Sequence, residues 1–387
     1  MELNREFFDE IIDRAGTASE KWDARGEVFG RADVLPLWVA DMDFRCAPEI
    51  ARAIEERARH PIYGYTADVP ENREAEAAWL KRRFDLDVDP DWILTSPSVV
   101  DSMLYSIEAF TQPGERVLIQ PPVYGPFRET VRRLGRVVEE SVLIDAPDGY
   151  RMDFDGLERA FASDVRMMFL CSPHNPVGRV WTRAELARLF DVADRFHAVV
   201  VSDEIHASFA FAPHRHTPCL SLSERAVMLT SATKAFNLAG LRQSSAIVPD
   251  PELRQKLKSA IRRFNGDHPN LFAMVAQRAA YALGDEWLDK CRDYIRENRD
   301  FAEAFIGANL PEIAVHPLEG TYLMWLDTRK TGVRHGELFR RLVDAGVGLN
   351  DGLFFGEQGR GYFRLNLAAP RANIERGLLC VERALSK

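Results

Sequence analysis

The fold is decided by the stretch S-A-T-K-A-F-N-L-A-G-L-R, residues 231–242. It follows the apolar run 226–230, which predicts a buried strand, so that Lys234 lies just past a strand end. Ser231 stands three residues before the lysine and Arg242 eight residues after it. A hydroxyl and a guanidinium are suitable phosphate ligands. A lone lysine in a loop is usually a surface charge, but these neighbours favour a functional lysine beside a bound phosphate.

Strand and helix patterns alternate through the middle of the chain. Apolar runs predict strands at 116–120, 136–143, 165–171, 197–201 and 226–230, and helical patterns cover 124–134, 153–162 and a segment that starts at Thr182. Asp153 is a candidate N-cap, and Thr182 with Glu185 forms a capping-box pattern. Strands separated by helices of this length imply right-handed crossovers. The sequence therefore predicts an α/β fold with a mostly parallel central sheet.

The ends of the chain show a different pattern. A long helical pattern covers 270–306, with Leu283-Gly284 as a possible break, and shorter strands and two helices follow Pro311. A chain of 387 residues exceeds the usual size of one domain. We therefore expect a large domain at 46–284, and an N-terminal arm and smaller α+β domain made of 1–45 and 285–387.

Composition excludes several classes of protein. The net charge of −9 argues against nucleic acid as a partner. No stretch approaches the roughly 20 apolar residues of a membrane span, and the N-terminus has no apolar signal core, so we expect no membrane association. The five cysteines lack a C-x-x-C pair, which argues against a zinc site or a disulfide framework and favours the cytoplasm.

Three polar motifs follow other predicted strands, where ligands of such sheets bind. V-S-D-E-I-H (201–206) offers Asp203 as a partner for a protonated ring nitrogen, or alternatively as a helix N-cap. C-S-P-H-N-P-V-G-R (171–179) is a stiff loop that can hold the Asn175 amide against a ring oxygen. P-P-V-Y-G-P-F (121–127) offers Tyr124 for stacking on a flat cofactor, although an aromatic residue there is more often core.

Further candidate residues carry weaker signals. Ser98, Val99 and Val100 open a predicted helix, where backbone N–H groups bind phosphate well. Arg364, in Y-F-R-L-N (362–366), is a candidate for bidentate binding of a substrate carboxylate, with a surface arginine as the alternative. His206 is either a core histidine or a cofactor contact.

These motifs, in this order, resemble the pyridoxal 5′-phosphate (PLP)-dependent fold-type I enzymes of the aspartate aminotransferase superfamily. The finer resemblance is to the MalY/PatB-type cystathionine β-lyase (C–S lyase) group. It rests on F-D-E-I-I-D-R-A-G-T-A-S-E-K-W-D (8–23), P-L-W-V-A-D-M-D-F (36–44), Y-G-Y-T (63–66), S-P-H-N-P-V-G-R-V-W (172–181) and S-D-E-I-H (202–206). Ser98 replaces a frequent glycine, and Ala232-Thr233 replaces a frequent Pro-Ser.

The resemblance implies PLP held by Lys234 as a Schiff base in the large domain, and a homodimer whose active sites lie at the subunit interface. Tyr65 would reach the phosphate of the partner's PLP, and Trp38 would lie near an amino-acid substrate. The expected catalytic residues are Lys234 and Tyr65. The expected cofactor contacts are Lys234, Asp203, Asn175, Tyr124, Ser231, Arg242, Ser98, Val99, Val100, His206 and Tyr65. The expected substrate contacts are Arg364, Trp38, Asn175 and Tyr124.

The implied reaction is α,β-elimination from L-cystathionine or a related L-cysteine S-conjugate, with Lys234 as the base for the α-proton and with pyruvate, ammonia and a thiol as products. A class I/II aminotransferase would use the same lysine, aspartate and arginine, and stays an alternative. A regulatory protein that binds a transcription activator is the second alternative.

Overall fold

Two β-sheets organise the chain in the computed structural model, which describes residues 2–146 and 148–386. The strands are β1 (Leu35–Leu37), β2 (Ile93–Ser96), β3 (Arg116–Ile119), β4 (Val137–Glu140), β5 (Val165–Cys171), β6 (Val199–Asp203), β7 (Val227–Thr230), β8 (Ser244–Ile247), β9 (Ala314–Val315), β10 (Leu323–Asp327), β11 (Val347–Asp351) and β12 (Tyr362–Asn366).

Helices cover the sheets and connect most of the strands. They are α1 (Arg5–Asp9), α2 (Glu20–Asp23), α3 (Arg25–Phe29), α4 (Pro48–Arg59), α5 (Pro70–Phe84), α6 (Val99–Phe110), α7 (Pro126–Arg133), α8 (Phe154–Ala162), α9 (Arg183–Arg195), α10 (Ala232–Ala235), α11 (Pro251–Arg263), α12 (Leu271–Leu283), α13 (Asp285–Asn309), α14 (His335–Ala345) and α15 (Arg371–Leu385). Short 3₁₀ turns lie at Pro90–Trp92, Ala207–Phe209, Cys219–Ser221, Ala239–Leu241, Arg329–Thr331, Gly352–Phe355 and Glu357–Gly359.

The larger sheet has the strand order β2-β8-β7-β6-β5-β3-β4. The pairs β3–β4, β3–β5, β5–β6 and β6–β7 are parallel, whereas β8 runs antiparallel to both of its neighbours. The prediction of a mostly parallel sheet is thus confirmed. Its central strands are buried on both faces, since Met168 and Leu170 of β5 join one apolar cluster and Met167 and Phe169 the other.

Two predicted strands have different limits. The strand expected at 197–201 begins at Val199, because His197 takes a left-handed conformation with φ of 55° that ends the preceding turn, and it continues to Asp203. The strand expected at 136–143 is regular only from Val137 to Glu140, because its neighbour β3 ends at Ile119. The Asp153 cap and the Thr182–Glu185 capping box are confirmed.

The smaller sheet has the strand order β1-β11-β12-β10-β9 and combines both ends of the chain. Leu35 of β1 is in parallel register with Val347 of β11. Gly284 separates α12 from α13, as the sequence predicted. The domain limits at 45/46 and 284/285 stay predictions. No helix among the described residues is long and apolar enough to cross a membrane.

Candidate active site

The polar motifs that follow the strands meet at one edge of the larger sheet. Lys234 lies in α10, directly after β7, and Asp203 is the last residue of β6. Asn175 follows β5, and Tyr124 lies between β3 and α7. The backbone N–H of Tyr124 donates to the carbonyl of Asn175 at 3.2 Å. These four residues come together because parallel strands bring their carboxyl ends to the same edge.

The amine of Lys234 contacts the segment that follows β1 of the smaller sheet. Its Nζ donates a 2.5 Å hydrogen bond to the carbonyl oxygen of Ala40, which also accepts from the Tyr322 hydroxyl at 2.9 Å. Burial lowers the pKa of Lys234 to about 8, and the positive charge of Arg364 acts in the same direction, while Asp41 opposes the shift. An amine with this pKa has a substantial neutral fraction near neutral pH, which a nucleophile or a general base requires.

Asp203 is a buried carboxylate, with 8% of its surface exposed. Its Oδ1 accepts from the backbone N–H of Ile205 at 3.1 Å, and within residues 2–146 and 148–386 no cation lies in salt-bridge contact with it. Burial raises its pKa to about 7. A protonated ring nitrogen at this position would lower that pKa again, because an opposite charge favours the ionised carboxylate.

Arg364 is buried in the site, with 2% of its surface exposed. One guanidinium nitrogen donates to Asn175 Oδ1 at 2.9 Å and another to the carbonyl of Trp38 at 2.8 Å, whereas Nε has no partner among the described residues. The guanidinium lies 4.9 Å from the centre of the Phe355 ring. Burial lowers the pKa of Arg364 to about 10. The surface-arginine alternative is therefore wrong, and a buried cation that has no carboxylate partner among residues 2–146 and 148–386 suits an anionic ligand.

Ser98 and Arg242 lie at the start of α6, and Ser231 is the N-cap of α10. Ser98 is the N-cap of α6, accepting from the Asp101 N–H at 3.1 Å and donating to Asp101 Oδ2 at 2.6 Å. Arg242 contacts the same carboxylate at 3.1 Å. Ser231 accepts from the backbone N–H of Thr233 and donates to the carbonyl of Gln243 at 2.6 Å. The three side chains are thus already hydrogen-bonded within the chain, and phosphate binding by them stays a prediction.

The backbone at the start of α6 offers free donors. The N–H groups of Val99 and Val100 have no acceptor in the described part of the chain, as expected for the first turn of a helix. Such groups bind a phosphate dianion well, because the helix dipole adds to their partial positive charge. The free N–H groups of Val99 and Val100 are therefore chemically suited to the phosphate contacts predicted for these two residues.

Three remaining predicted residues have contrasting environments. His206 is buried edge-on against Tyr322, with ring centres 5.5 Å apart, and burial lowers its pKa well below the usual value. Trp38 donates from its indole to the carbonyl of Lys21 at 3.1 Å, beside the Arg364 contact described above. Tyr65 is fully exposed and is not brought to the other site residues of its own chain.

Sequence reasoning missed the contacts of residues 38–43, which we call the 38–43 segment. The amide of Asn366 donates to the carbonyls of Val39 and Asp41 at 2.6 and 2.7 Å. The Lys21 ammonium, which is fully buried, lies 2.6 Å from Asp43. Backbone carbonyls give no residue-type signal, so only the resemblance of W-V-A-D-M-D-F to the C–S lyase group marked this segment in the sequence.

A half-buried lysine, a strand-end carboxylate and a buried arginine at the edge of this sheet define an enzyme of the fold-type I, aminotransferase-like class. Residues 32–379 match the model of the family described as aminotransferase class I and II. The chain belongs to that family.

Similar proteins include several carbon–sulfur lyases. The chain is 39% identical to cystathionine β-lyase PatB of Bacillus subtilis, over 98% of this chain and 100% of that protein. Among solved structures, cystalysin of Treponema denticola, which contains a PLP cofactor, has a TM-score of 0.94 at 31% identity, with 98% of each chain covered. The PLP-bound C–S lyase of Staphylococcus hominis has a TM-score of 0.91 at 29% identity, again with 98% of each chain covered.

Proposed function

We propose that the protein is a PLP-dependent C–S β-lyase that converts L-cystathionine or a related L-cysteine S-conjugate to pyruvate, ammonia and a thiol. The observation that carries this proposal is the position of Lys234, whose amine bonds the carbonyl of Ala40, two residues from the Trp38 carbonyl that the Arg364 guanidinium bonds beside Asn175. The names of the similar proteins support elimination rather than amino transfer.

The chemistry of the site suits PLP. We propose that Lys234 binds the cofactor covalently, that Asp203 pairs with its ring nitrogen and that Asn175 contacts a ring oxygen. The free N–H groups of Val99 and Val100 suit its phosphate. When bound, PLP supplies an electron sink that stabilises negative charge at the substrate Cα.

Each protein group then has one task. The Arg364 guanidinium binds the substrate carboxylate, assisted by Asn175, and so fixes the orientation of the substrate. The Lys234 amine, when it is neutral and not bound to the cofactor, would take the proton from Cα. The thiolate leaves from Cβ with the electrons of the C–S bond, and the resulting aminoacrylate reacts with water to give pyruvate and ammonia. Tyr124, whose pKa is raised by burial, stays a neutral phenol that lines the site.

We also propose that the enzyme works as a homodimer with shared active sites. Ile62, Tyr63 and Tyr65 are large apolar or aromatic side chains that are 67%, 58% and 109% exposed within their own chain. A cluster of this kind is typical of an interface. The described cysteines are all free thiols, which suits the reducing cytoplasm as the compartment of the enzyme.

The test is to incubate purified protein with PLP and L-cystathionine, and to measure pyruvate and free thiol. We expect equal amounts of the two products. The Lys234→Ala variant should lose this activity and also the visible absorbance of covalently bound cofactor, whereas Lys258→Ala, which changes an exposed lysine, should keep both. Steady 2-oxoglutarate-dependent transamination without thiol release would show that the proposed reaction is wrong.

A further inference from the structure

Phe354 lies beside Tyr124 at the edge of the candidate active site. The centres of the two rings are 5.6 Å apart, and their planes are inclined at 58°. The backbones also approach closely, because a Cβ atom added to Gly125 would lie 2.8 Å from the carbonyl oxygen of Phe354. Direct contacts thus place this side chain against the loop between β3 and α7.

The neighbouring ring of Phe355 connects Phe354 to the arginine of the site. The two phenylalanine rings meet edge-on with their centres 5.2 Å apart, and the centre of the Phe355 ring lies 4.9 Å from the Arg364 guanidinium. Phe355 is fully buried, whereas Phe354 keeps 41% of its surface exposed. Phe354 is therefore the ring of this pair that is available to a ligand bound at Arg364.

The 3₁₀ turn that carries this ring, Gly352–Phe355, is fixed by hydrogen bonds at both of its ends. Asp351 accepts from the backbone N–H of Leu353 at 2.8 Å, and the carbonyl of Phe355 accepts from the N–H of Val123 at 3.1 Å. A ring on a turn that is already ordered loses little conformational freedom when a ligand packs against it. The contact with a ligand is therefore offset by only a small entropic cost.

The proposed substrate brings its sulfur substituent close to these rings. In an L-cysteine S-conjugate only Cα and Cβ separate the sulfur from the carboxylate carbon. A carboxylate bound at Arg364 therefore keeps the sulfur near Phe354 and Tyr124. An exposed ring that continues into other aromatic side chains is a surface that suits an apolar group, because the contact removes apolar area from water.

We propose that Phe354 is a specificity-determining residue that packs against the sulfur substituent and so selects L-cysteine S-conjugates with apolar substituents. The inference rests on the proposed lyase function, and it narrows the substrate class to conjugates that carry an alkyl or aryl group on sulfur. L-cystathionine, whose substituent ends in an ammonium and a carboxylate, is then a poorer substrate than an S-alkyl conjugate of similar size.

The test compares S-butyl-L-cysteine with S-(3-hydroxypropyl)-L-cysteine, which differ only in a terminal methyl or hydroxyl group, through the kcat/KM of pyruvate release by the PLP-loaded enzyme. We expect the wild type to prefer the butyl conjugate. In Phe354→Ala the ratio of the two kcat/KM values should fall about fourfold, the contribution of one buried methyl group. Phe354→Leu keeps an apolar side chain and should lose only part of the preference.

A second readout does not depend on elimination. L-2-aminooctanoate and L-2-amino-7-hydroxyheptanoate are the same two molecules with a methylene in place of the sulfur, so that no thiolate can leave. The absorbance of the bound cofactor measures their dissociation constants, whose ratio should fall about fourfold in Phe354→Ala. Leu379→Ala, which truncates an apolar side chain on α15 that is 43% exposed, is the control and should keep both wild-type ratios. An unchanged ratio of dissociation constants in Phe354→Ala would contradict packing against the substituent.

The two proposals fail in different ways. If the wild type releases pyruvate from both conjugates, and Phe354→Ala lowers both kcat/KM values equally or not at all, the role of Phe354 is wrong and the lyase function stands. If the wild type releases pyruvate from neither conjugate nor from L-cystathionine, the lyase function is wrong and the selectivity assigned to Phe354 is overturned with it.

Discussion

Arg364 donates a 2.9 Å hydrogen bond from its guanidinium to the side-chain oxygen of Asn175. Arg364 lies on β12 of the smaller sheet, whereas Asn175 follows β5 of the larger sheet. Both residues are buried, with 2% and 5% of their surfaces exposed. The bond therefore joins the two sheets across the site, and it holds the arginine in place before a substrate arrives.

The first prediction concerns the shape of that arginine. Arg364→Lys keeps the charge but loses the planar fork that binds a carboxylate bidentately and that bonds Asn175 and Trp38 together. We expect kcat/KM for L-cystathionine to fall about tenfold to a hundredfold, mainly through KM, since a charged hydrogen bond contributes about 1.5–3 kcal/mol. Steady-state kinetics measure this. Arg360→Lys, at an exposed position, is the control, and a change below twofold in Arg364→Lys would contradict carboxylate binding.

The second prediction concerns the protonation of Lys234. Its pKa is lowered to about 8 chiefly by burial, and covalent capture of PLP needs the neutral amine. The rate of PLP uptake by cofactor-free protein should therefore rise with pH, with a midpoint near pH 8, and level off about one pH unit higher. Stopped-flow absorbance measures this rate. A midpoint close to the ordinary lysine pKa would show that the amine is not desolvated.

Substitution of Asp41 tests the direction in which a neighbouring charge shifts the pKa of Lys234. Its negative charge raises the pKa of Lys234, so Asp41→Asn should move the midpoint of PLP uptake to lower pH. Asp155→Asn changes an exposed aspartate at the start of α8 and should leave the midpoint in place. A shift to higher pH in Asp41→Asn would contradict the assignment of the titrating group.

The sequence predictions that the structure confirms rest on local patterns of residues. The Thr182–Glu185 capping box depends on two side chains three residues apart, so it can be predicted from the sequence without any tertiary information. The meeting of Asp203, Asn175 and Lys234 follows from one topological rule about parallel strands. That is why the residues of this edge could be selected before the structure was known.

Contacts between distant segments could not be predicted from local sequence patterns. The Ala40 carbonyl that accepts from Lys234 belongs to the backbone, which is the same at every residue type. The pairing of Leu35 with Val347 spans most of the chain, and three apolar residues are too few to indicate a partner strand. Glu76 in α5 stands among charged neighbours in the sequence, yet its side chain is fully buried in the fold.

The third prediction uses this buried glutamate. Glu76 accepts hydrogen bonds from Ser245 at 2.7 Å, Gln277 at 3.1 Å and Tyr281 at 3.5 Å, and burial raises its pKa to about 7. A raised carboxyl pKa means that the folded protein holds the proton more tightly than the unfolded chain. The stabilisation from this proton is about 3 kcal/mol at most. It is fully present below about pH 4.5 and is lost as the pH rises through 7.

Glu76→Gln removes this titration. The free energy of unfolding of the variant should therefore increase relative to that of the wild type as the pH is raised from about 5 to about 8. Urea denaturation at a series of pH values measures the difference between the two proteins. Glu55→Gln, at an exposed position in α4, should show no such trend. A constant difference between Glu76→Gln and the wild type would show that Glu76 is ionised throughout.

The fourth prediction tests the shared active site through Tyr65. This side chain is fully exposed in its own chain, and the proposed dimer brings it to the phosphate of the partner's cofactor. Tyr65→Ala should weaken PLP binding about tenfold, since a hydrogen bond to a charged phosphate is lost. At limiting PLP, both Tyr65→Ala and Lys234→Ala should then have little activity alone.

Mixing the two inactive variants distinguishes a shared site from two independent ones. A mixed dimer contains one site with an intact Lys234 from one chain and an intact Tyr65 from the other. Random exchange makes about half of the dimers mixed, each with one good site, so about a quarter of the wild-type activity should return. Mixing Lys234→Ala chains with chains that carry both substitutions should restore nothing. If the first mixture only gives the sum of its parts while sedimentation shows exchanged dimers, Tyr65 acts within its own chain or not at all.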